Sequence, residues 1–250
     1  MKKRLTIYES NNQEESASYH EIIEESHRFR EEFLYLIQTC DTAHIENYKK
    51  EMIDYRKIDT LKIFKRVPGN ELRSYKNFLL SHNTLYSYSA EKGGLSAAQS
   101  HFMSEKYAIM IEHSHSFAQL DQIHLNMIEE YIDPANRFYL EPNPTILDKA
   151  IHFIEMNFAE DFTITEIAEE LHVHPSHLMR LFKKEKGQTI SHFRNQKRIK
   201  EAKELLIHSK LSMTEIAFMV GFNNPQYFSK IFKKEEKTTP KAFRNALREE

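Results

Sequence analysis

Hydrophobic positions through most of the chain recur at three- and four-residue steps, the period of a helix with one buried face. Between Tyr19 and Thr39 the apolar positions are Ile22, Ile23, Phe29, Phe33, Leu34, Leu36 and Ile37, opposite an acidic outer face. His44 to Phe64 continues the pattern through Ile45, Tyr48, Met52, Ile53, Tyr55, Ile58, Leu61 and Ile63, with a break expected inside it. Val67-Pro68-Gly69-Asn70 spells a turn. Helices are then predicted over Glu71 to Tyr88, Ser96 to His113 and Phe117 to Ile132, with Gly93-Gly94 ending or bending the first. Only Leu5-Thr6-Ile7-Tyr8 alternates, as a short strand or a frayed end.

Asp133-Pro134 and Glu141-Pro142-Asn143-Pro144 punctuate the chain, and proline restricts both itself and the residue before it. A junction is therefore expected there, giving a helical regulatory or dimerisation domain at 1–140 and a second domain at 141–250. Beyond it, Leu147, Ile151 and Ile154 set a helical stripe, and Thr189 to Ser209 reads as one long helix carrying Ile190, Phe193, Ile199, Ala202, Leu205 and Leu206.

This second domain says nearly the same thing twice. Thr163-Ile164-Thr165-Glu166-Ile167-Ala168 returns about 50 residues later as Ser212-Met213-Thr214-Glu215-Ile216-Ala217. Pro175 through Glu185 aligns with Pro225 through Glu235, and Phe193-Arg194-Asn195 with Phe243-Arg244-Asn245. Thr163 with Glu166, and Ser212 with Glu215, have the spacing of a capping box. Pro175 and Pro225 fit the first turn of a helix, where no amide partner is lost. Each copy is thus a short helix, a tight connection and a second helix ending in lysines, about 163–186 and 212–236. The implied fold is all-α: a tandem helix-turn-helix joined by a long linker helix and preceded by a helical N-terminal domain.

Composition supports this and excludes other classes. Only three of the five glycines fall in the first 140 residues, too few for the tight turns of a barrel or sandwich. The single cysteine, Cys40, rules out a disulfide framework or multi-cysteine zinc site and fits a reducing, cytoplasmic setting. No apolar run is long enough to span a membrane or form a signal core. Net charge is −2, so the case for nucleic acid rests on where the cations fall.

In a helix-turn-helix the second helix lies in the major groove, and its early residues reach base edges while cations find phosphates. Copy one offers Ser176, His177, Met179 and Arg180 forward, with Leu178, Leu181 and Phe182 toward the core. Copy two offers Asn224, Gln226, Ser229 and Lys230 forward, with Tyr227, Phe228, Ile231 and Phe232 partly or wholly inward. Lys183-Lys184 and Lys233-Lys234 are the expected phosphate contacts. Cations also favour a helix C-terminus in any protein, but these recur in register with the whole motif. A linker of about 20 residues spans roughly 30 Å, close to the ~34 Å between successive major-groove faces.

Glu215-Ile216-Ala217, Gly221-Phe222, Tyr227-Phe228, Phe232-Lys233-Lys234, Thr239-Pro240 and Phe243-Arg244 together resemble the DNA-binding domain of AraC/XylS-type bacterial regulators, over about 105 of 250 residues. The resemblance implies base contacts from Ser176, Met179 and Arg180, then from Asn224, Pro225, Gln226, Ser229 and Lys230, with activation and RNA polymerase contact as common behaviour. Met179 could read only an apolar feature such as a thymine methyl. Gly221 falls in the turn between helices. Lys237 stands where the family usually has the glycine that helps a helix stop, which bears on that turn's geometry; copy one keeps Gly187. Residues 72–107, with Lys76-Asn77, Gly93-Gly94-Leu95 and Tyr107, resemble the helical N-terminal region of some Gram-positive members.

For the N-terminal half the expected roles are effector sensing, dimerisation or both. A dimer seam could run along Ile22, Phe29, Phe33 and Leu36. His101, His113, His115 and His124 invite a metal, but two-residue spacing does not share a helix face, so core or surface histidines are expected and neither metal nor cofactor is assigned. Tyr75, Phe78, Tyr86 and Tyr88 favour core packing over a ligand pocket. Cys40 has no basic neighbour to activate it. That weighs against a DNA-binding module attached to a sensor or alkyl-transfer enzyme, and residues 1–140 lack the alternating strand and helix pattern with acidic strand ends that a phospho-receiver protein requires. No catalytic motif appears.

Overall fold

The computed structural model describes residues 19–49, 63–137 and 143–246, which are helical with no strand among them. In chain order the helices are α1 (Tyr19–Thr39), α2 (42–49), α3 (Glu71–Lys92), α4 (Ala97–His113), α5 (Phe117–Ile132), α6 (Ile146–Asn157), α7 (Ile164–Glu170), α8 (Pro175–Lys186), α9 (Ile190–His208), α10 (Met213–Met219), α11 (Pro225–Glu236) and α12 (Pro240–Ala246). The alternating Leu5–Tyr8 run and the middle of the expected 44–64 helix lie outside the described residues. Most helix starts follow one rule. Asn70, Ser96, Ser116, Thr145, Thr163, Thr189 and Ser212 each place a side-chain oxygen on the amide three residues ahead, satisfying a donor that the helix leaves unpaired.

The chain divides into two compact units: residues up to Gly93 with His115–Asp133, and Gly94–Ser114 with Pro134 onward. Helix α4, which the sequence groups with 1–140, therefore lies in the C-terminal unit.

In the N-terminal unit α3 packs on α1 and α5. Phe33 is buried against Tyr86 of α3, and Phe29 stacks beside Phe33 and Tyr48. The expected dimer stripe is thus partly consumed within the unit. Tyr75 and Tyr86 are core, whereas Tyr88 is 61% exposed and faces outward. The interior is polar as well as aromatic. Tyr86 OH lies 3.1 Å from His124 Nε2, and Tyr131 OH donates to Asn83 Oδ1 at 3.0 Å. His82 Nδ1 donates to the Phe78 carbonyl at 2.9 Å, while His113, the last residue of α4, donates likewise to Ile109. Among the described residues no three histidine, cysteine or acidic side chains gather as metal ligands. His101 is exposed.

The C-terminal unit holds two cores joined by α9. Ile190, at its start, belongs with Ala150, Ile154, Ile167, Ala168, Leu178 and Phe182. Ile199, Ala202, Leu205 and Leu206 belong with Ile216, Ala217, Val220, Phe222, Phe228 and Phe232. The repeat is visible in the packing: Phe182–Phe193 and Phe232–Phe243 are equivalent edge-to-face pairs, each with centroids 5.5 Å apart.

Helix α4 is fastened to α9 by a buried ion triad. Lys106 Nζ lies 2.9 Å and Lys197 Nζ 2.7 Å from the two oxygens of Glu201, with Lys106 and Glu201 side chains both 4% exposed. Burial alone would raise the Glu201 carboxyl, but the two ammonium groups outweigh it and hold it well below its ordinary range. Two cations on one carboxylate satisfy both its oxygens, the condition under which a buried charge is tolerated.

The N-terminal core makes stability sensitive to acid. Burial lowers His124 to about 3, with a further push from His82. Burial also lowers His82, to about 4, aided by Arg30 and opposed by its bond to Phe78. Both folded values lie below the ordinary 6.5, so the unfolded chain takes up protons first. The stabilisation is complete above pH ~6.5 and declines as pH falls toward 4. Urea midpoints measured between pH 7.5 and 4.5 should fall with acidity. His82→Phe should flatten that decline by up to about 3 kcal/mol; an unchanged slope counts against the assignment.

Candidate nucleic-acid interface

Two chemically similar surfaces arise from the repeat. In each copy a capping box starts the first helix: Glu166 accepts from the Thr163 amide and Glu215 from the Ser212 amide, which holds both carboxyls below their ordinary range. The turn after that helix is also the same. His172 and Gly221 donate to the carbonyls of Glu169 and Phe218, each at 3.0 Å, and Val173 and Phe222 to those of Ala168 and Ala217, each at 2.8 Å. Both turn residues are left-handed, at φ 52° for His172 and 87° for Gly221.

The second helix of each head starts on proline behind a side-chain cap. His174 Nδ1 accepts from the Ser176 amide, and Asn224 Oδ1 from the amides of Gln226 and Tyr227. Leu178 and Phe182, and in copy two Phe228 and Phe232, are fully buried and fix which face turns outward. On α8 that face carries Ser176, His177, Met179, Arg180, Lys183 and Lys184, all exposed. On α11 it carries Asn224, Gln226, Lys230, Lys233 and Lys234, exposed, with Pro225 and Ser229 half-buried. The sequence-predicted residues thus fall into two rows, one per head.

Their bonds refine individual roles. Ser229 Oγ donates to the Pro225 carbonyl, and Arg180 Nε to that of Ser176. Lys183 Nζ reaches the Gly187 carbonyl at 2.9 Å, so this lysine also closes its own helix. Two large aromatic residues are also on the surface. Phe218 is 55% exposed, and Tyr227, which the sequence reads as partly or wholly inward, is only partly so, at 50% exposed. The Tyr227 ring leans edge-on against Phe222, which leaves half of it exposed beside the row on α11. His174 was hidden because histidine is an uncommon cap.

The link between the heads is built on α9. Arg194 and Arg198 both donate through Nε to the Phe158 carbonyl, at 3.1 and 2.6 Å, and both reach the Glu160 carbonyl through Nη2. Arg194 Nη1 adds the Phe162 carbonyl at 3.3 Å, and its guanidinium lies over the Phe162 ring. These carbonyls follow the end of α6, where the helix dipole is negative and acceptors lack partners. Burial, reinforced by its like-charged neighbour Arg194, lowers Arg198 to about 10. It remains a cation at neutral pH. A side-chain carbon at Gly221 would lie 2.4 Å from the Ala159 carbonyl oxygen and 2.7 Å from Arg198 Nη2, so the second head's turn sits directly on this loop.

The helix-end turns repeat as well. Gly187 and Lys237 end α8 and α11 in the same left-handed conformation, at φ 68° and 62°. Lysine in place of glycine does not alter that turn; it loads it with side-chain strain. Lys237→Gly should raise stability by roughly 0.5–1 kcal/mol, and His172→Gly by a similar amount, because a left-handed side chain costs about 1–2 kcal/mol. Gly221→Ala should instead lose about 3 kcal/mol, strain and overlap together. Thermal midpoints of the three variants check this; equal tolerance at Gly221 and His172 would refute the packed turn.

Comparisons with known proteins bear on the same segment. Residues 167–246 match a family model described as a helix-turn-helix domain. The chain is 32% identical over 108 residues to the regulatory protein PocR of Salmonella typhimurium, covering 43% of this chain and 36% of PocR. It is 37% identical over 103 residues to the bifunctional transcriptional activator/DNA repair enzyme AdaA of Bacillus subtilis, covering 41% of this chain and 49% of AdaA. The chain spans less than half the length of these two relatives. Among solved structures, the C-terminal domain of AraT, a response regulator from Geobacillus stearothermophilus, shares 34% identity over 42% of this chain and 88% of that one, with a TM-score of 0.40.

Proposed function

We propose that this chain, whose C-terminal segment is an AraC/XylS-type double helix-turn-helix domain, is a sequence-specific regulator of transcription that reads two adjacent major-groove segments of double-stranded DNA. The observation that carries the reading is the pair of matching exposed rows on α8 and α11, each started by a proline-and-cap turn and ended by lysines. Helix α9, 19 residues long, spans about 28 Å, the scale of one helical turn of DNA.

In this reading Arg180 and Lys230, at equivalent positions, Gln226 and the amide of Asn224 meet base edges. Met179 and Tyr227 supply apolar contact, and Lys184, Lys233 and Lys234 meet phosphates. The N-terminal unit regulates the heads, through an effector or by pairing with a second copy. RNA polymerase is the expected downstream partner and the cytoplasm the expected setting; among the described residues no helix is long and apolar enough to cross a membrane. The alternative, added alkyl-transfer chemistry, is favoured only by the similarity to AdaA, a bifunctional transcriptional activator/DNA repair enzyme. It would require Cys40, the one cysteine, which follows α1 in a left-handed conformation and is half-buried. Cys40→Ser with unchanged target binding and unchanged regulation would remove that alternative.

Selection of duplexes from a random library by the full-length chain at near-physiological salt should enrich a motif with two short elements about one helical turn apart. A single element, or none, refutes two-headed reading. Arg180→Ala should weaken the selected site by about 1–3 kcal/mol and relax preference at one position if the guanidinium makes a bidentate base contact. Lys233→Ala should weaken all sequences alike and reduce the salt slope by about one contact.

A further inference from the structure

Resting on the two-headed reading, we infer that Arg198 sets the phase between the heads and so determines which spacing of DNA elements this protein accepts. The assignment comes from what this one side chain touches. On the first head's side it donates to the carbonyls of Phe158 and Glu160. On the second head's side its guanidinium lies 5.2 Å from the Phe222 ring centroid, and the absent side chain of Gly221 is what admits Nη2. Gly221 and Phe222 form the turn that aims α11. Arg198 is therefore wedged between the loop that precedes α7 and the turn that precedes α11, while anchored in the helix that joins the two cores.

Its neighbour Arg194 provides the contrast. Arg194 contacts the same carbonyls but adds only Phe162, within the first head. The repeat shows this to be a local duty: Arg244, its equivalent in copy two, donates to the Leu206 carbonyl near the end of α9, just as Arg194 serves the end of α6. Arg194 closes a head, whereas Arg198 ties one head to the other. α9 fixes the distance between the cores and packs into both, and the rotation of the second head about that helix that this packing still allows is limited by the side chain wedged against its turn. Each added base pair rotates the second element by about 34–36°, so a fixed phase excludes all but one or two spacings. Two tethered binding modules lose their combined affinity when geometry prevents both from engaging.

The test is a spacing series on the selected motif, with the separation between elements changed by one and two base pairs in each direction. Affinity is measured for the full-length wild type, Arg198→Lys and Arg194→Lys, each also on duplexes carrying one element. Lysine keeps the charge and gives up the fork and the planar stack. Wild type should lose at least about tenfold at one base pair from the optimum. Arg198→Lys should retain single-element binding within about twofold and show a profile flattened to less than about threefold, while Arg194→Lys keeps the wild-type profile with a lower thermal midpoint. Should Arg198→Lys not fold, Phe222→Leu removes the ring from the other side of the contact and should flatten the profile in the same way. A wild-type profile that is already flat overturns the assignment and leaves two-headed reading intact, as does an Arg198→Lys or Phe222→Leu profile as steep as wild type. A wild type that selects no duplex of any sequence ends the regulator reading itself and this inference with it.

Discussion

The C-terminal unit depends on one constraint: a single helix, α9, has to complete two hydrophobic cores while satisfying the open carbonyls at the C-terminal end of α6. α9 gives Ile190 to one core and Ile199 through Leu206 to the other. Between them come Arg194 and Arg198, whose forks satisfy the carbonyls left open after α6. Without those cations the loop at 158–162 would bury unpaired acceptors, at a cost of several kcal/mol in a low-dielectric setting. With them, the loop becomes the surface on which the second head's turn rests. α8 and α11, with their caps and lysine ends, take their directions from that arrangement.

Comparison of the two copies separates what a helix-turn-helix needs from what this neighbourhood needs. The turn hydrogen bonds are the same in both, and both require a left-handed residue. Histidine suffices at 172, where the residue is exposed; only glycine fits at 221, where another backbone crosses within contact distance. At the helix ends Gly187 meets no atom within 4 Å of where a side chain would begin. Its glycine character serves backbone conformation alone, and lysine at 237 fills the equivalent role.

Much of this was legible in the sequence because it follows from local rules. Period placed α1, α4, α5 and α9 to within a residue or two, and the internal repeat with its capping boxes placed both heads with their exposed rows. What escaped was tertiary. Nothing in the spacing of Lys106 and Glu201, 95 residues apart, announces a buried pair, so α4 was grouped with its sequence neighbours. How far Tyr227 turns inward was left open by its aromatic stretch; with Phe222 filling the core, its ring lies edge-on and half exposed. Phe33 looked free to meet another copy until Tyr86 took its face. The two exposed rows were readable for a simple reason: the face of a helix that packs against nothing is left polar, and periodicity alone identifies it.

The threading of α4 has an evolutionary side. The chain leaves the N-terminal unit after Gly93, contributes one helix to the C-terminal unit, and returns at His115. No single cut therefore separates the two. Regulators assembled by fusing a sensor to a DNA-binding module can exchange sensors by one recombination event at the junction. Here such an exchange would strip Glu201 of Lys106 and remove Phe102 from Phe158. A cut at the proline-punctuated junction would thus open the packing of the C-terminal unit itself.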